Sequence, residues 1–143
     1  MASITSANST LSLAIANLYS SPQIIQGFST DDAFMVDPLD MAEVMMGVDG
    51  RMSAGRVFNP VKMTITLQAD SRSVIIFDTW ANTQQGAREL YWANGSIYLP
   101  SVGKKYVLQN GVLTTAKLMP DVKKLLQPLA YNITWEAVYG EVA

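Results

Sequence analysis

Apolar residues take every second place from Val61 to Leu67: Val61, Met63, Ile65 and Leu67 alternate with Lys62, Thr64, Thr66 and, just beyond, Gln68. A period of two predicts a half-buried strand over 61–68, the clearest in the chain. From Val74 the rhythm changes, and Val74, Phe77 and Ala81, or Ile76 and Trp80, fall three and four apart. That spacing predicts a helix over about 73–83 with its apolar stripe laid on a sheet. Asp70 or Ser71 is placed to accept N–H groups of the first turn, and Gly86 to end the helix.

The same alternation marks strands elsewhere. Leu11, Leu13 and Ile15 alternate with Ser12, Ala14 and Ala16, which predicts a strand over 10–16. Pro22 to Phe28 reads as a second, with Gly27 a candidate bulge. "DDAFMVDP" reads as a short third, stopped by Pro38, and Met41 to Val48 as a strand or an extended loop. Asp49-Gly50 suits a type I′ hairpin turn, because both residues accept positive φ cheaply. Asn94-Gly95 and Asn110-Gly111 carry the same signal and predict two further hairpins. Asp121 to Leu126, between Pro120 and Pro128, predicts a short helical turn. Tyr131, Ile133, Trp135, and with them Ala137 and Tyr139, alternate in a last strand. The sum is a mainly β fold: an antiparallel β-sandwich or partial barrel with one flanking α-helix, as a single domain over 1–143.

Composition sharpens this picture at one point. Apolar residues make up 49% of the 143, enough for a sizeable core, while charged residues make up only 15%, against roughly 25% in soluble chains generally. Burial of surface in subunit contacts, where charge is depleted, accounts for the shortfall; a surface rich in Ser, Thr, Asn and Gln is the other account. Charge is also unevenly placed. Residues 1–50 carry Asp31, Asp32, Asp37, Asp40, Glu43 and Asp49 and no base, whereas 51–143 carry ten bases and six acids. The acidic part of one copy could meet the basic part of another, or the two halves could neutralise each other within one fold.

Candidate chemistry is sparse. There is no Cys and no His, which removes disulfides, thiolate metal sites, and Ser-His-Asp or Cys-His nucleophilic centres built from this chain alone. Asp31-Asp32 with Asp37 and Asp40 is the one carboxylate cluster, but adjacent strand residues point to opposite faces, and the spacing matches no EF-hand. "GVDGRMSAG" is not a phosphate loop, and Lys104-Lys105 and Lys123-Lys124 are too few for a nucleic-acid patch. Trp80, Trp92 and Trp135 read as core or interface anchors. Met35, Met41, Met45, Met46 and Met52 fall within eighteen residues; Met packs against varied shapes, so the segment reads as a contact arm or as ordinary core filling. The sequence predicts no cofactor, no metal, no catalytic residue and no enzyme. The N-terminus is no signal peptide, and no apolar run reaches the ~18 residues of a membrane-spanning segment.

In succession, "GFSTDDAFMVDP", "MGVDGRMSAGRVFNPVKMTITLQADSRSVIIFDTW" and "LAYNITWEAV" resemble the tail-tube proteins of contractile-tailed, myovirus-type bacteriophages, related in fold to type VI secretion tube proteins. The resemblance runs along nearly the whole chain, carried by the order of its parts rather than by one motif. It implies two packed antiparallel sheets with a helix beside them, and six copies in a ring whose inner sheets join into a continuous barrel. Rings stack head-to-tail into an inner tail tube, inside a tail sheath protein and between baseplate and tail-terminator proteins. Phage DNA passes through the lumen into the host cell without sequence-specific binding. The implied place is the virion tail, assembled in the host bacterial cytoplasm.

The resemblance also implies an inter-subunit contact loop at about 40–59, where Met41, Val44, Met45, Met46, Arg51, Met52, Arg56 and Phe58 are the contact candidates. An acidic lumen is implied too, with Asp31, Asp32, Asp37 and Asp49 as lumen-facing candidates. Other readings are a tube-initiating baseplate or tail-terminator ring protein of the same fold, a monomeric β-sandwich module binding sugar or peptide, and, least supported, a hydrolase.

Overall fold

The computed structural model describes residues 9–25, 34–100 and 102–142. Among them are nine strands and one helix: β1 (Thr10–Ile15), β2 (Tyr19–Ile25), β3 (Phe34–Val36), β4 (Ala42–Met46), β5 (Met52–Arg56), β6 (Val61–Leu67), α1 (Val74–Ala87), β7 (Ala93–Leu99), β8 (Lys104–Ala116) and β9 (Leu129–Val142). Seven strands form one antiparallel sheet in the order β2-β1-β7-β8-β9-β6-β3, and β4 and β5 pair only with each other. The mainly β class with a single flanking helix is therefore what the chain adopts.

The period-two strands bury the residues the pattern marks. Leu11, Leu13 and Ile15 of β1 and Met63, Ile65 and Leu67 of β6 are fully buried, as are Tyr131, Ile133 and Trp135 of β9 to within 1%. These belong to one continuous core, although β1 and β6 lie four strands apart in the sheet. A flat sheet under a single helix could not bury both regions, so the sheet must curl over its own inner face, which is a partial barrel. Phe77, Trp80 and Ala81 of α1 close the open side. Phe77 stacks on Tyr131 with ring centroids 4.5 Å apart, and the Trp80 indole N–H donates to the Tyr91 carbonyl at 3.0 Å.

Several local expectations are corrected. Neither Asn-Gly pair is a turn. Asn94-Gly95 lies within β7 and Asn110-Gly111 within β8. The β7–β8 connection is instead at Pro100 to Gly103, where the Gly103 N–H donates to the Pro100 carbonyl at 3.3 Å and Gly103 has φ +64°. Both glycines are there for close approach. A Cβ on Gly95 would lie 2.7 Å from the Ser12 carbonyl oxygen of β1, and one on Gly111 would overlap the Trp135 indole. Asn110 does use the left-handed region its type favours, φ 49°, but to make a bulge: Ala93 pairs with Gly111 and Gly95 with Leu108, three steps on β8 for two on β7. The Asn110 backbone N–H donates to the Asn94 side-chain oxygen at 3.0 Å across it.

The helix runs past Gly86 to Ala87 and ends at Arg88, which takes the left-handed conformation itself (φ 55°, ψ 34°). Its N-cap is Ser73, and the Ser71 hydroxyl accepts the Ser73 N–H at 3.2 Å. The stretch between Pro120 and Pro128 is not a helical turn but a bend closed by an antiparallel bridge between Val122 and Leu126. In β9 the inward alternation holds as far as Trp135; beyond it Val138, rather than Tyr139, packs on the core. The expected bulge at Gly27 lies outside the described residues.

Candidate functional site

Two surfaces stand out, an exposed apolar hairpin and a groove of mixed polar and apolar lining. The first is the β4–β5 hairpin. Its five strand pairs run from Ala42 opposite Arg56 to Met46 opposite Met52, and every residue in both strands is exposed. The tip is a three-residue loop. The Gly47 N–H donates to the Arg51 carbonyl at 2.7 Å, the Gly50 N–H donates to the Gly47 carbonyl at 3.0 Å, and Gly50 has φ +84°. Asp49 is not among the positive-φ residues, so this is a turn closed by a left-handed glycine rather than the expected type I′ turn. At the base, the Val57 N–H donates to the Met41 carbonyl and the Asn59 amide to the Asp40 carbonyl. The Arg56 guanidinium sits 4.9 Å from the centroid of the Phe58 ring.

Strand alternation gives this hairpin two unlike faces. Residues opposite each other share a face, so Ala42, Val44 and Met46 lie with Arg56, Ala54 and Met52. The other face holds Glu43, Met45, Ser53 and Gly55. The first face is apolar apart from the arginine at its base, and its large side chains are solvent-exposed: Val44 at 65%, Met46 at 65% and Met52 at 62%. An exposed apolar patch of this kind marks a binding surface in a stable protein.

The second surface is a groove of about 320 Å³ between the C-terminal half of α1 and the end of β8, where Ala81, Leu90, Leu113, Ala116 and Leu118 alternate with the polar Gln84, Gln85, Arg88, Glu89, Thr114 and Thr115. Gln84 fixes its floor by bonding both sides. Its side-chain N–H donates to the Leu113 carbonyl at 3.4 Å, and its side-chain oxygen accepts the Tyr91 N–H at 3.3 Å. The β8–β9 connection beside it leaves Leu118, Met119, Val122, Leu125 and Leu126 exposed. That connection carries Lys117, Lys123 and Lys124 against Asp121, with Lys117 and Asp121 paired at 3.1 Å.

The structure brings the contact candidates together. Met41, Val44, Met45, Met46, Arg51, Met52, Arg56 and Phe58 all lie on the hairpin or at its base, and all are exposed. Of the lumen-facing candidates, Asp37 and Asp49 fall within the described residues. Asp31 and Asp32 lie outside the described residues. Asp37 follows β3, its N–H donating to the Lys62 carbonyl, and Asp49 is at the hairpin tip, where its carboxylate accepts the Arg51 N–H at 3.1 Å. Trp80 and Trp135 are core anchors as their type suggests, whereas Trp92 is 51% exposed. The groove escaped the sequence reading, since its lining comes from three separate segments whose meeting depends on the fold.

Among the described residues no three Asp or Glu side chains converge where a metal could bind, and no helix is long and apolar enough to cross a membrane. The perturbed groups are Asp78, whose carboxyl burial pushes up, and Tyr131, pushed up to about 12 by burial and then by the Asp78 charge. The Tyr131 hydroxyl and the Trp135 indole N–H are buried without a hydrogen-bond partner.

A family model described as tail fiber protein gp32 matches residues 2–139. No curated protein matches the chain in sequence. Among solved structures, a chain of the anti-feeding prophage baseplate shares 11% identity with a TM-score of 0.67, covering 99% of this chain and 97% of that one. A chain of the anti-feeding prophage tube-terminating cap shares 10% identity with a TM-score of 0.66, covering 100% and 93%. A chain of the sheath–tube complex of an extracellular contractile injection system, in its extended state, shares 13% identity with a TM-score of 0.63, covering 93% and 88%. At these identities the likeness is one of fold, and it takes in nearly the whole of each chain.

Proposed function

The chain belongs to the tail fiber protein gp32 family, and we propose that it is a structural subunit that assembles into stacked hexameric rings, the inner tube of a contractile phage tail. Its work is geometric rather than catalytic. Each copy presents a curled sheet as wall, a hairpin as arm, and a surface low in charge. Rings stack head-to-tail inside a sheath, between a baseplate and a terminator, and DNA passes along the lumen without sequence-specific contacts. The place of action is the virion, with assembly in the host cytoplasm.

The observation that carries this reading is the hairpin. A 15.6 kDa monomer that left Val44, Met46, Met52 and Phe58 in water would be prone to aggregate. A subunit that hands those side chains to identical neighbours buries them. We take the chain as one domain, one wall unit and one arm, with residues 40–59 as the contact loop. Among the described residues β2 and β3 stand at the two ends of the sheet, and closing sheet edges between subunits removes a liability for uncontrolled pairing.

Negative-stain microscopy of the concentrated, purified protein tests the proposal. Tubes are expected. Single rings that never stack would favour the baseplate or terminator role over the tube, and a monomer at every concentration would overturn assembly altogether.

A further inference from the structure

Methionine is divided unevenly between the core and the surface of this chain. Met63 of β6 is fully buried, whereas Met41, Met45, Met46 and Met52, on and beside the β4–β5 hairpin, are all exposed, Met45 at 74%. Met46 and Met52 lie directly opposite each other in the last strand pair before the turn, so their two thioethers share one face as neighbours. A thioether held in water is open to two-electron oxidation, and a buried one is shielded from it. The chain has no Cys to consume an oxidant first. The hairpin strands pair only with each other, so a change of side-chain polarity there disturbs no ladder of the main sheet.

We propose that the Met46–Met52 pair is a modification site, oxidised by a hydroperoxide in the free subunit, and that the oxidised subunit does not assemble. The sulfur lone pair attacks one peroxide oxygen as the O–O bond breaks. Each thioether gives up two electrons and becomes a sulfoxide, and hydrogen peroxide is reduced to water. The apolar face of Val44, Ala54, Met46 and Met52 then carries two polar S=O groups, and burying such groups without hydrogen-bond donors is unfavourable. The other hairpin face already holds Glu43 and Ser53, so a sulfoxide at Met45 changes its polarity little. Sulfoxide reductases return the thioether, oxidising a dithiol to a disulfide and releasing the oxygen as water. This inference rests on the assembly proposed above and adds a chemical condition under which assembly fails.

The test treats the unassembled chain with hydrogen peroxide, maps oxygen uptake on its peptides by mass spectrometry, and follows assembly by light scattering and microscopy. Met46 and Met52 should form sulfoxide at least severalfold faster than Met63, with the circular dichroism of the folded chain unchanged. The oxidised chain should form no rings or tubes, and sulfoxide reductases of both epimer specificities should bring them back. A Met46→Leu/Met52→Leu double variant keeps the apolar volume of the face. It should assemble before and after peroxide, although Met35, Met41, Met45 and Met119 remain exposed to the oxidant. Each single variant should lose part of the sensitivity, which decides the matter should the double variant fail to assemble untreated. Met63 oxidised as fast as Met46, leucine variants as sensitive as the parent, or tubes formed unchanged from fully oxidised subunits would each overturn the proposal and leave the assembly reading standing. An untreated parent chain that never assembles overturns both.

Discussion

Gly111 and Trp135 face each other across the β8–β9 ladder, and the indole occupies the space a Gly111 side chain would need. Trp135 is fully buried, so it has nowhere to retreat. Gly111→Ala should therefore lose about 1–3 kcal/mol of stability through overpacking. Gly55→Ala, where a Cβ meets nothing within 4 Å, should be close to neutral. Urea unfolding of the two variants under dissociating conditions measures the contrast.

The end of α1 offers two substitutions in the other direction. Gly86 lies inside the helix with open space where a Cβ would go. Gly86→Ala should gain about 0.8–1 kcal/mol from helix propensity. Arg88 holds the left-handed cap that glycine adopts freely, so Arg88→Gly should gain about 1 kcal/mol. Thermal unfolding should place both midpoints above that of the parent chain.

Tyr131 predicts a loss of stability in alkali. Its folded-state pKa, about 12, lies above the ordinary phenol value, first through burial and then through the charge of Asp78. The folded state therefore holds the proton that the unfolded state releases above pH ~10. The stabilisation is fully present below that pH and falls as pH rises towards 12, by up to about 2 kcal/mol. Tyr131→Phe should remove this part of the slope. It should cost little at neutral pH, because the hydroxyl has no hydrogen-bond partner to lose. Denaturant titrations of both proteins between pH 8 and 12 would show the difference.

The hairpin predicts a separation of folding from assembly. Val44→Asp and Met46→Asp alter exposed residues outside the core, so each should change monomer stability by less than about 0.5 kcal/mol. Each should nevertheless abolish rings and tubes by light scattering. A variant that assembles as the parent does would remove the hairpin from the interface.

The strands and the helix were legible in the sequence wherever one face is buried. Met63, Ile65 and Leu67, or Phe77 and Trp80, repeat because a core selects them at the period of the backbone. Turns were legible only where local chemistry had no competitor. At Asp49-Gly50 the hairpin forms because nothing packs against it, although the turn type differs. At Asn94-Gly95 and Asn110-Gly111 the same residues serve close approach by β1 and by Trp135, a tertiary demand that no neighbouring residue announces. Gly86 misled for a related reason: α1 continues because Gln84 ties it to both Leu113 and Tyr91, and the left-handed cap passes to Arg88. The apolar arm could be read from the run of methionines, whereas the groove could not, since Ala81, Leu90, Leu113 and Leu118 converge only after β8 and α1 pack.

The strand order also sets a timetable. β1 has to wait for β7 and β6 for β9, so the inner part of the sheet cannot close until nearly the whole chain has left the ribosome. β9 is made last of the nine strands but sits in the middle, between β8 and β6. A polypeptide interrupted before residue 129 thus has a hairpin to offer but no wall behind it. The folded sheet that carries the arm is therefore complete only in finished copies.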